Sequence, residues 1–425
     1  MKKIWSNYKQ TIILLGALIV GAIVGLVFGE KAGILSPFGD LFMNLMFVII
    51  VPLIFLTITT SIAKIKQPKR LSKVITTIFG VFIITTLVSV VIGLFTTFSF
   101  ELVNPQDTQA IINTLDTTAS EEEVELNILE RTVQAISVGD FTEILSKNNI
   151  IALVIVSILI GLAIAKVGEE AEPFLNILEA ANKVVLKFID FVFLYAPIGL
   201  GCYFASLIGT FGASIAVGYA KTFVIYTVVA VLFYFIMYTL YAFIAGGKEG
   251  IKVFWKNVLP ATATSISTCS SAASIPVNVK CAKAMGVSDD IAETIIPLGT
   301  SFHKDGSVIG SVFKIMFLVY LFGTDVSSFS GIMQVIGTAL IANLLVTAVP
   351  VGGGTISEMM ILTMMGFPVA ALPILTIIAT IIDPPATMLN VVGDTSSSML
   401  VSRIVDGKDW LKEKIKGTNK KTKKA

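Results

Sequence analysis

Toward its C-terminal end the chain reads Ile381-Ile382-Asp383-Pro384-Pro385-Ala386-Thr387-Met388-Leu389-Asn390-Val391-Val392-Gly393-Asp394, inside an otherwise apolar run over residues 372–404. Asp383, Thr387, Asn390 and Asp394 are spaced by four, three and four positions, so a helix sets all four on one stripe. By helical rise that stripe is about 16 Å long. Carboxylates within a run long enough to cross a bilayer must face protein or a wet cavity, and they mark function by default. Pro384-Pro385 predicts a kink beside Asp383, with freed backbone carbonyls able to bind an ion. The bland alternative, a structural hydrogen-bond seam, is the weaker reading of so regular a ladder.

The rest of the chain is built to match. Of its 425 residues, 55% are hydrophobic and 14% charged, against about 25% charged in an ordinary soluble domain. A soluble globular enzyme is excluded. Apolar runs long enough to span a ~30 Å hydrocarbon core recur at residues 11–29, 38–63, 74–100, 150–167, 184–209 and 222–245. The first is too long for a signal-peptide core and lacks a small-residue cleavage site, so it is read as a span. Cys202, Cys269 and Cys281 are too few for a disulfide framework. The net charge of +2 implies no nucleic-acid partner.

Basic residues concentrate at Lys2-Lys3, between Lys64 and Lys73, and in eight lysines from Lys408 to Lys424. The positive-inside rule places all three segments, and hence both termini, in the cytoplasm. The tail serves equally as an ordinary anchor or as a lipid-headgroup element. Residues 101–150 carry ten acidic and two basic side chains and read as an extracellular, solvated loop.

Beyond Gly246 the spans become interrupted. Residues 261–276 hold a small-hydroxyl cluster, and residues 346–356 a Thr-Ala-Val-Pro-Val-Gly-Gly-Gly-Thr run, each between apolar pieces too short to cross. Such breaks predict re-entrant hairpins lining a site, because irregular backbone at membrane depth must be satisfied by protein, water or ligand. Between them, Gly299-Thr-Ser-Phe-His303-Lys304-Asp305-Gly306-Ser307 interrupts residues 291–322, and an unwound turn is expected at Asp305–Gly306.

At these residues the sequence resembles the dicarboxylate/amino acid:cation symporter family. The resemblance is carried by Ser270-Ser271 with Pro276, Pro297-Leu298-Gly299, Asp305-Gly306-Ser307, Asn390-Val-Val-Gly-Asp394 and Tyr195-Ala-Pro-Ile-Gly199. It implies an all-α polytopic membrane protein of the cell membrane, with eight transmembrane helices, two re-entrant hairpins and inverted repeats. It also implies a homotrimer working as an elevator. Residues 1–73 and 150–210 would then be the scaffold, 101–149 the acidic loop and the start of helix 4, and 406–425 the basic tail. Residues 74–100, 211–249 and 250–405 would form the transport domain. By the family pattern Asp383 would take a substrate ammonium, and Asn390 with Ser271 the α-carboxylate. Ser270, Ser307, Ala386 and Thr387 would complete that pocket. Cation sites would use Asp394 with backbone oxygens of Gly299, His303 and Asn390, and Asp305 with Thr85 and Thr86. No cofactor is implied beyond sodium or protons as coupling ions.

Three departures qualify this. Ala386 stands where family members that carry acidic substrates place an arginine clamp, so a small neutral amino acid such as serine, threonine or alanine is the expected substrate. An acidic amino acid or C4-dicarboxylate stays open, since Lys304 could supply a positive charge. His303-Lys304 replaces the family's Asn-Met, which suggests reduced sodium stoichiometry with Lys304 as a cation surrogate. Snorkelling of Lys304 to a wet cavity is the alternative. His303, the only histidine, is read evenly as a coupling group or as a neutral donor to a helix carbonyl.

Glu358 reads as a water-exposed hairpin edge rather than a proton acceptor, and Asp190 and Lys314 as interhelical or interfacial pairs. Asp383 and Asp394, eleven residues apart on one helix, cannot form an aspartyl-protease dyad. The glycine run 352–354 lacks a following Lys-Ser/Thr and is no phosphate cradle. An enzyme is not expected; a passive channel is the rival from another class.

Overall fold

The structure is a computed structural model that describes residues 2–63, 71–103, 137–146, 149–211, 213–344 and 353–411, all in helices, turns and connections with no strand among them. Helices α1 (Lys2–Phe28) and α2 (Ser36–Ala63) are joined by a tight 3-10 turn, and α3 spans Leu71–Ser99. Then come α4 (Ile150–Val167), α5 (Glu172–Phe211) and α6 (Ala213–Asn257). Two short paired helices follow, α7 (Leu259–Thr268) and α8 (Ser271–Ala284), and then α9 (Asp289–Phe302) and α10 (Asp305–Phe322). A second short pair, α11 (Phe329–Leu344) and α12 (Gly353–Met365), precedes the long α13 (Leu372–Val405). The basic stretch 64–70, most of the acidic loop, the tip 345–352 and the tail beyond 411 lie outside the described residues.

Among the described residues, five helical segments are long and apolar enough to cross a membrane: Gly16–Phe42, Thr76–Ser99, Ile215–Asn257, Asp289–Phe322 and Val369–Val405. Their burial divides them. The Asp289–Phe322 segment has 83% of its apolar window buried inside the protein, the Gly16–Phe42 segment 22%. The first is therefore the centre of the molecule, and the second presents its apolar side chains outward, as a lipid-facing helix does.

Packing follows two groupings. α5 lies against α1 and α2, and α2 also against α4. Close approach is built into α1 by Gly21 and Gly25. A Cβ on Gly21 would fall 2.3 Å from the carbonyl oxygen of Gly201, and one on Gly25 2.6 Å from that of Ala205. This is the small-residue spacing by which membrane helices bring backbones together without a hydrophobic driving force. The second grouping surrounds α13, which packs against α3, α6, α7, α8, α9, α10 and α12.

Local chemistry explains the interruptions. Between α7 and α8, Cys269 takes a left-handed conformation (φ 46°), and the Ser270 hydroxyl caps α8 by accepting from the Ala273 N–H at 3.2 Å. The break between α9 and α10 falls at His303 (φ −131°, ψ 111°) and Lys304 (φ −144°, ψ 76°). It comes earlier than the Asp305–Gly306 turn expected from sequence, because Asp305 already occupies the first turn of α10, where its carboxylate complements the positive helix terminus. Pro384-Pro385 does not end α13, which continues as helix through both. Proline's fixed φ is compatible with helix, and the cost lies in the lost N–H donors.

Candidate functional site

The site forms where the start of α10 meets the middle of α13. Gly306 makes the approach possible: a Cβ there would lie 2.3 Å from the carbonyl oxygen of Ala386. Tyr226 of α6 donates its hydroxyl to the Gly306 carbonyl at 2.8 Å and holds this first turn in place.

On the α13 stripe the four ladder residues are engaged in sequence. Thr387 donates its hydroxyl to Oδ1 of Asp383 at 3.1 Å. Asn390 makes a two-way contact with α10, its Oδ1 accepting from the Ser307 N–H at 3.1 Å and its Nδ2 donating to the Ser307 hydroxyl at 2.9 Å. Asp394 sits 1% exposed, against α9. Its carboxylate fits because residue 299 is glycine: a Cβ on Gly299 would lie 2.1 Å from Asp394 Oδ1.

The break between α9 and α10 points a charged side chain inward at each position. The His303 ring is fully buried. Nδ1 lies 3.0 Å from Asp394 Oδ1, and Nε2 lies 2.8 Å from Thr85 Oγ1 and 3.3 Å from Asp305 Oδ1. Phe82 stacks on its face, with centroids 4.4 Å apart and planes 8° from parallel. Asp305 further accepts from the Ser89 hydroxyl at 2.8 Å and from the Tyr238 hydroxyl at 3.2 Å. Lys304 is buried as well. The imidazole faces two carboxylates rather than the helix carbonyl of the bland reading.

Of the sequence-nominated residues, the structure thus brings together Thr85, Gly299, His303, Lys304, Asp305, Ser307, Asp383, Ala386, Thr387, Asn390 and Asp394. Thr86 is half-buried at the next position on α3, and Ser271 is half-buried at the start of α8, where Ser270 is spent on the helix cap. Tyr195 stands apart, donating to the Phe38 carbonyl at 3.0 Å.

Several contributors were not nominated. Phe82 and Ser89 flank Thr85 at helical spacing on α3, and Tyr226 and Tyr238 both come from α6; a scan for polar residues at i, i+3, i+4 would have joined Ser89 to Thr85 but not the apolar Phe82, nor the two tyrosines, which are twelve positions apart. Asn278 of α8 is buried, donates to the Val391 carbonyl at 2.8 Å and accepts from the Thr395 hydroxyl, so it ties the first short pair to α13. Glu358 corrects an expectation. It is 1% exposed rather than at a wet edge, because Lys314 Nζ stands 3.6 Å from Oε1 and the Thr376 hydroxyl donates to Oε2 at 2.9 Å. Lys314 is the interhelical pair expected of it; the Asp190 side chain lies outside the described residues.

Chemically the site offers two kinds of charge. Asp383 is half-buried with a single hydroxyl donor described, which leaves carboxylate capacity for a cationic group. Asp305 and Asp394 already face nitrogen donors. Among the described residues no cluster of three or more His, Cys, Asp or Glu is arranged to hold a metal ion.

The sequence pattern of the sodium:dicarboxylate symporter family matches residues 10–404. The chain is 25% identical to a proton/sodium-glutamate symport protein of Geobacillus stearothermophilus, over 91% of this chain and 92% of that one. It is 26% identical to a C4-dicarboxylate transport protein of Bacillus subtilis (strain 168), over 98% and 99%. It is 24% identical to a C4-dicarboxylate transport protein of Anaeromyxobacter sp. (strain K), over 94% and 89%. These relatives are transporters, not enzymes, and their names lend no support to the small neutral amino acid expected from Ala386. Matched along nearly its whole length, the chain belongs to the sodium:dicarboxylate symporter family.

Proposed function

We propose that the protein is a secondary active symporter for an amino acid, bound at the junction of α10 and α13. The observation that carries this reading is Asp383. A carboxylate at mid-span with spare acceptor capacity is stabilised by an ammonium group and repels a second anion. An amino acid supplies that ammonium; a C4-dicarboxylate does not. Asn390 and Ser307, with Ser271 from α8, are the groups proposed for the α-carboxylate, and Thr387 completes the pocket beside Asp383.

Glutamate or aspartate is the first candidate, supported by the glutamate symport named for a relative. A small neutral amino acid is the second, favoured by Ala386, which leaves a side-chain carboxylate without a bidentate partner. The two short helix pairs, α7–α8 and α11–α12, are read as re-entrant hairpins within an eight-span chain. α3, α6 and α7–α13 form the moving unit, and α1, α2, α4 and α5 the scaffold of a trimer.

Uptake of labelled glutamate, aspartate, serine and succinate into proteoliposomes tests the reading. Accumulation of one amino acid against its gradient, unaffected by excess succinate, is expected. Accumulation of succinate in preference to every amino acid would overturn it, and equilibration without accumulation would indicate a channel.

A further inference from the structure

Asp305 and Asp394 are the two most deeply buried carboxylates near the site, at 0% and 1% exposure. Each needs a compensating positive charge at that depth. The family pattern supplies it as a bound cation. Here the space between the carboxylates is already filled by the His303 ring, whose two nitrogens address one carboxylate each.

Hydrogen-bond accounting fixes the character of that ring. Nε2 lies 3.3 Å from Asp305 Oδ1, and an ionised carboxylate only accepts, so that contact requires a hydrogen on Nε2, which the Thr85 hydroxyl accepts as well when it turns its own hydrogen to the Val81 carbonyl. A carboxylate accepts only, so Asp394 requires a donor at Nδ1. Both ring nitrogens therefore carry hydrogen, and the ring is a cation held in place by Phe82 stacked on its face. The adjacent Lys304 is buried too, and an ammonium at that depth is held only by a carboxylate beside it. The imidazolium stands between the two carboxylates, and a charged Lys304 beside it would balance the second.

A sodium ion needs a cage of oxygen atoms. Of the side-chain oxygens assigned to the two cation sites, Thr85 Oγ1, Asp305 Oδ1 and Asp394 Oδ1 all point at ring nitrogens of His303. The ring nitrogens repel a metal cation as well as blocking its place. Thus the residues present do not fit sodium.

We propose that His303 and Lys304 are built-in replacements for coupling sodium ions, so that Asp305 and Asp394 bind none and transport does not draw on a sodium gradient through them. The consequence for transport rests on the symport function proposed above; the consequence for sodium binding does not.

The test uses the purified full-length protein in two readouts. In the first, equilibrium binding of radioactive sodium and thermal unfolding in sodium chloride against choline chloride are measured without substrate. Wild type is expected to bind no sodium and to show no sodium-specific stabilisation. The double variant His303→Asn/Lys304→Met, which restores the family's residues, is expected to gain at least one sodium ion per chain and a sodium-specific rise in Tm, since a ligand that binds only the folded state stabilises it by mass action. In the second readout, wild-type uptake in proteoliposomes is expected to be unchanged when sodium is replaced by choline on both sides.

Sodium binding by wild type that disappears in Asp394→Asn or Asp305→Asn overturns the proposal, as does uptake that falls tenfold or more without sodium. The wild-type measurements decide the matter even if the double variant does not fold. Failure of every amino acid in the uptake assay would defeat the proposed substrate, while the sodium-binding readout would still stand.

Discussion

Lys314 of α10 and Glu358 of α12 meet in the protein interior, Nζ 3.6 Å from Oε1, with side chains 7% and 2% exposed. The Thr376 hydroxyl of α13 supports the carboxylate from the other side, so three helices converge on one buried pair. Removing one partner of such a pair strands the other charge at a cost of about 3–5 kcal/mol, whereas replacing both with apolar groups is often neutral or stabilising. Lys314→Met and Glu358→Met alone are each expected to lower the unfolding temperature sharply in detergent. The double variant should recover most or all of the loss. Additive losses in the double-mutant cycle would show that the two side chains are not coupled.

Gly299 leaves no room for a methyl group beside Asp394. Its Cβ would lie 2.1 Å from Oδ1 and 2.5 Å from Cγ of Asp394, so Gly299→Ala must displace the carboxylate and with it the contact to His303. Loss of uptake with reduced thermal stability is expected. Gly337→Ala on α11 is the control, since nothing lies within 4 Å of its Cβ. That change should be neutral or stabilising by about 0.4–1 kcal/mol, through the unfolded chain.

Asn278 joins α8 to α13 through its own N–H donation to Val391 and the Thr395 hydroxyl it accepts from. Asn278→Ala leaves the Val391 carbonyl and the Thr395 hydroxyl with one partner fewer each. A loss of about 1–3 kcal/mol is expected from buried groups left unmade. Because the contact ties the first short pair to the long helix, a cysteine-accessibility assay at residues 269 and 281 should show increased labelling in the variant. Unchanged labelling and stability would place the hinge of α7–α8 elsewhere.

Asp383 is assigned an ammonium group, and that assignment can be separated from general damage. A hydrogen bond to a charged group is worth about 1.5–3 kcal/mol, so Asp383→Asn should weaken amino-acid binding by roughly 10- to 150-fold. The deaminated analogue of the same substrate should bind the variant no worse than it binds wild type. Equal losses for both ligands would remove the ammonium from Asp383.

The helical stripe Asp383–Thr387–Asn390–Asp394 and an interruption within the small-hydroxyl run 261–276 were legible in the sequence, because each rests on local spacing and on the cost of polar groups at membrane depth, whereas the break expected at Asp305–Gly306 falls earlier, at His303 and Lys304. What escaped was relational. Nothing in local spacing shows that His303 would reach α13 and α3 at once, since those partners lie 91 and 218 positions away. Glu358 looked exposed because a lone acid among apolar residues is cheapest at a wet edge; only the fold brings Lys314 to it. Asn278 sits amid ordinary helix residues, and its role depends on Val391 and Thr395, more than a hundred positions on. Ala386 was legible as an absence, but an absent clamp says less about the cargo than the glutamate and dicarboxylate carriers to which the chain is related.

The four charges around the break between α9 and α10 have an electrical consequence. Each elementary charge moved through a membrane potential exchanges about 2.3 kcal/mol per 100 mV with the field. With His303 and Lys304 as the cations proposed above, Asp305 and Asp394 would be cancelled, and the moving unit proposed for transport would do no electrical work on their account. The return of the empty carrier would then owe its voltage sensitivity to Asp383 and to whatever charge Lys314 and Glu358 leave uncancelled. In a current recording on a planar bilayer, the cargo-free step should be as fast at −100 mV as at 0 mV once Asp383 is neutralised.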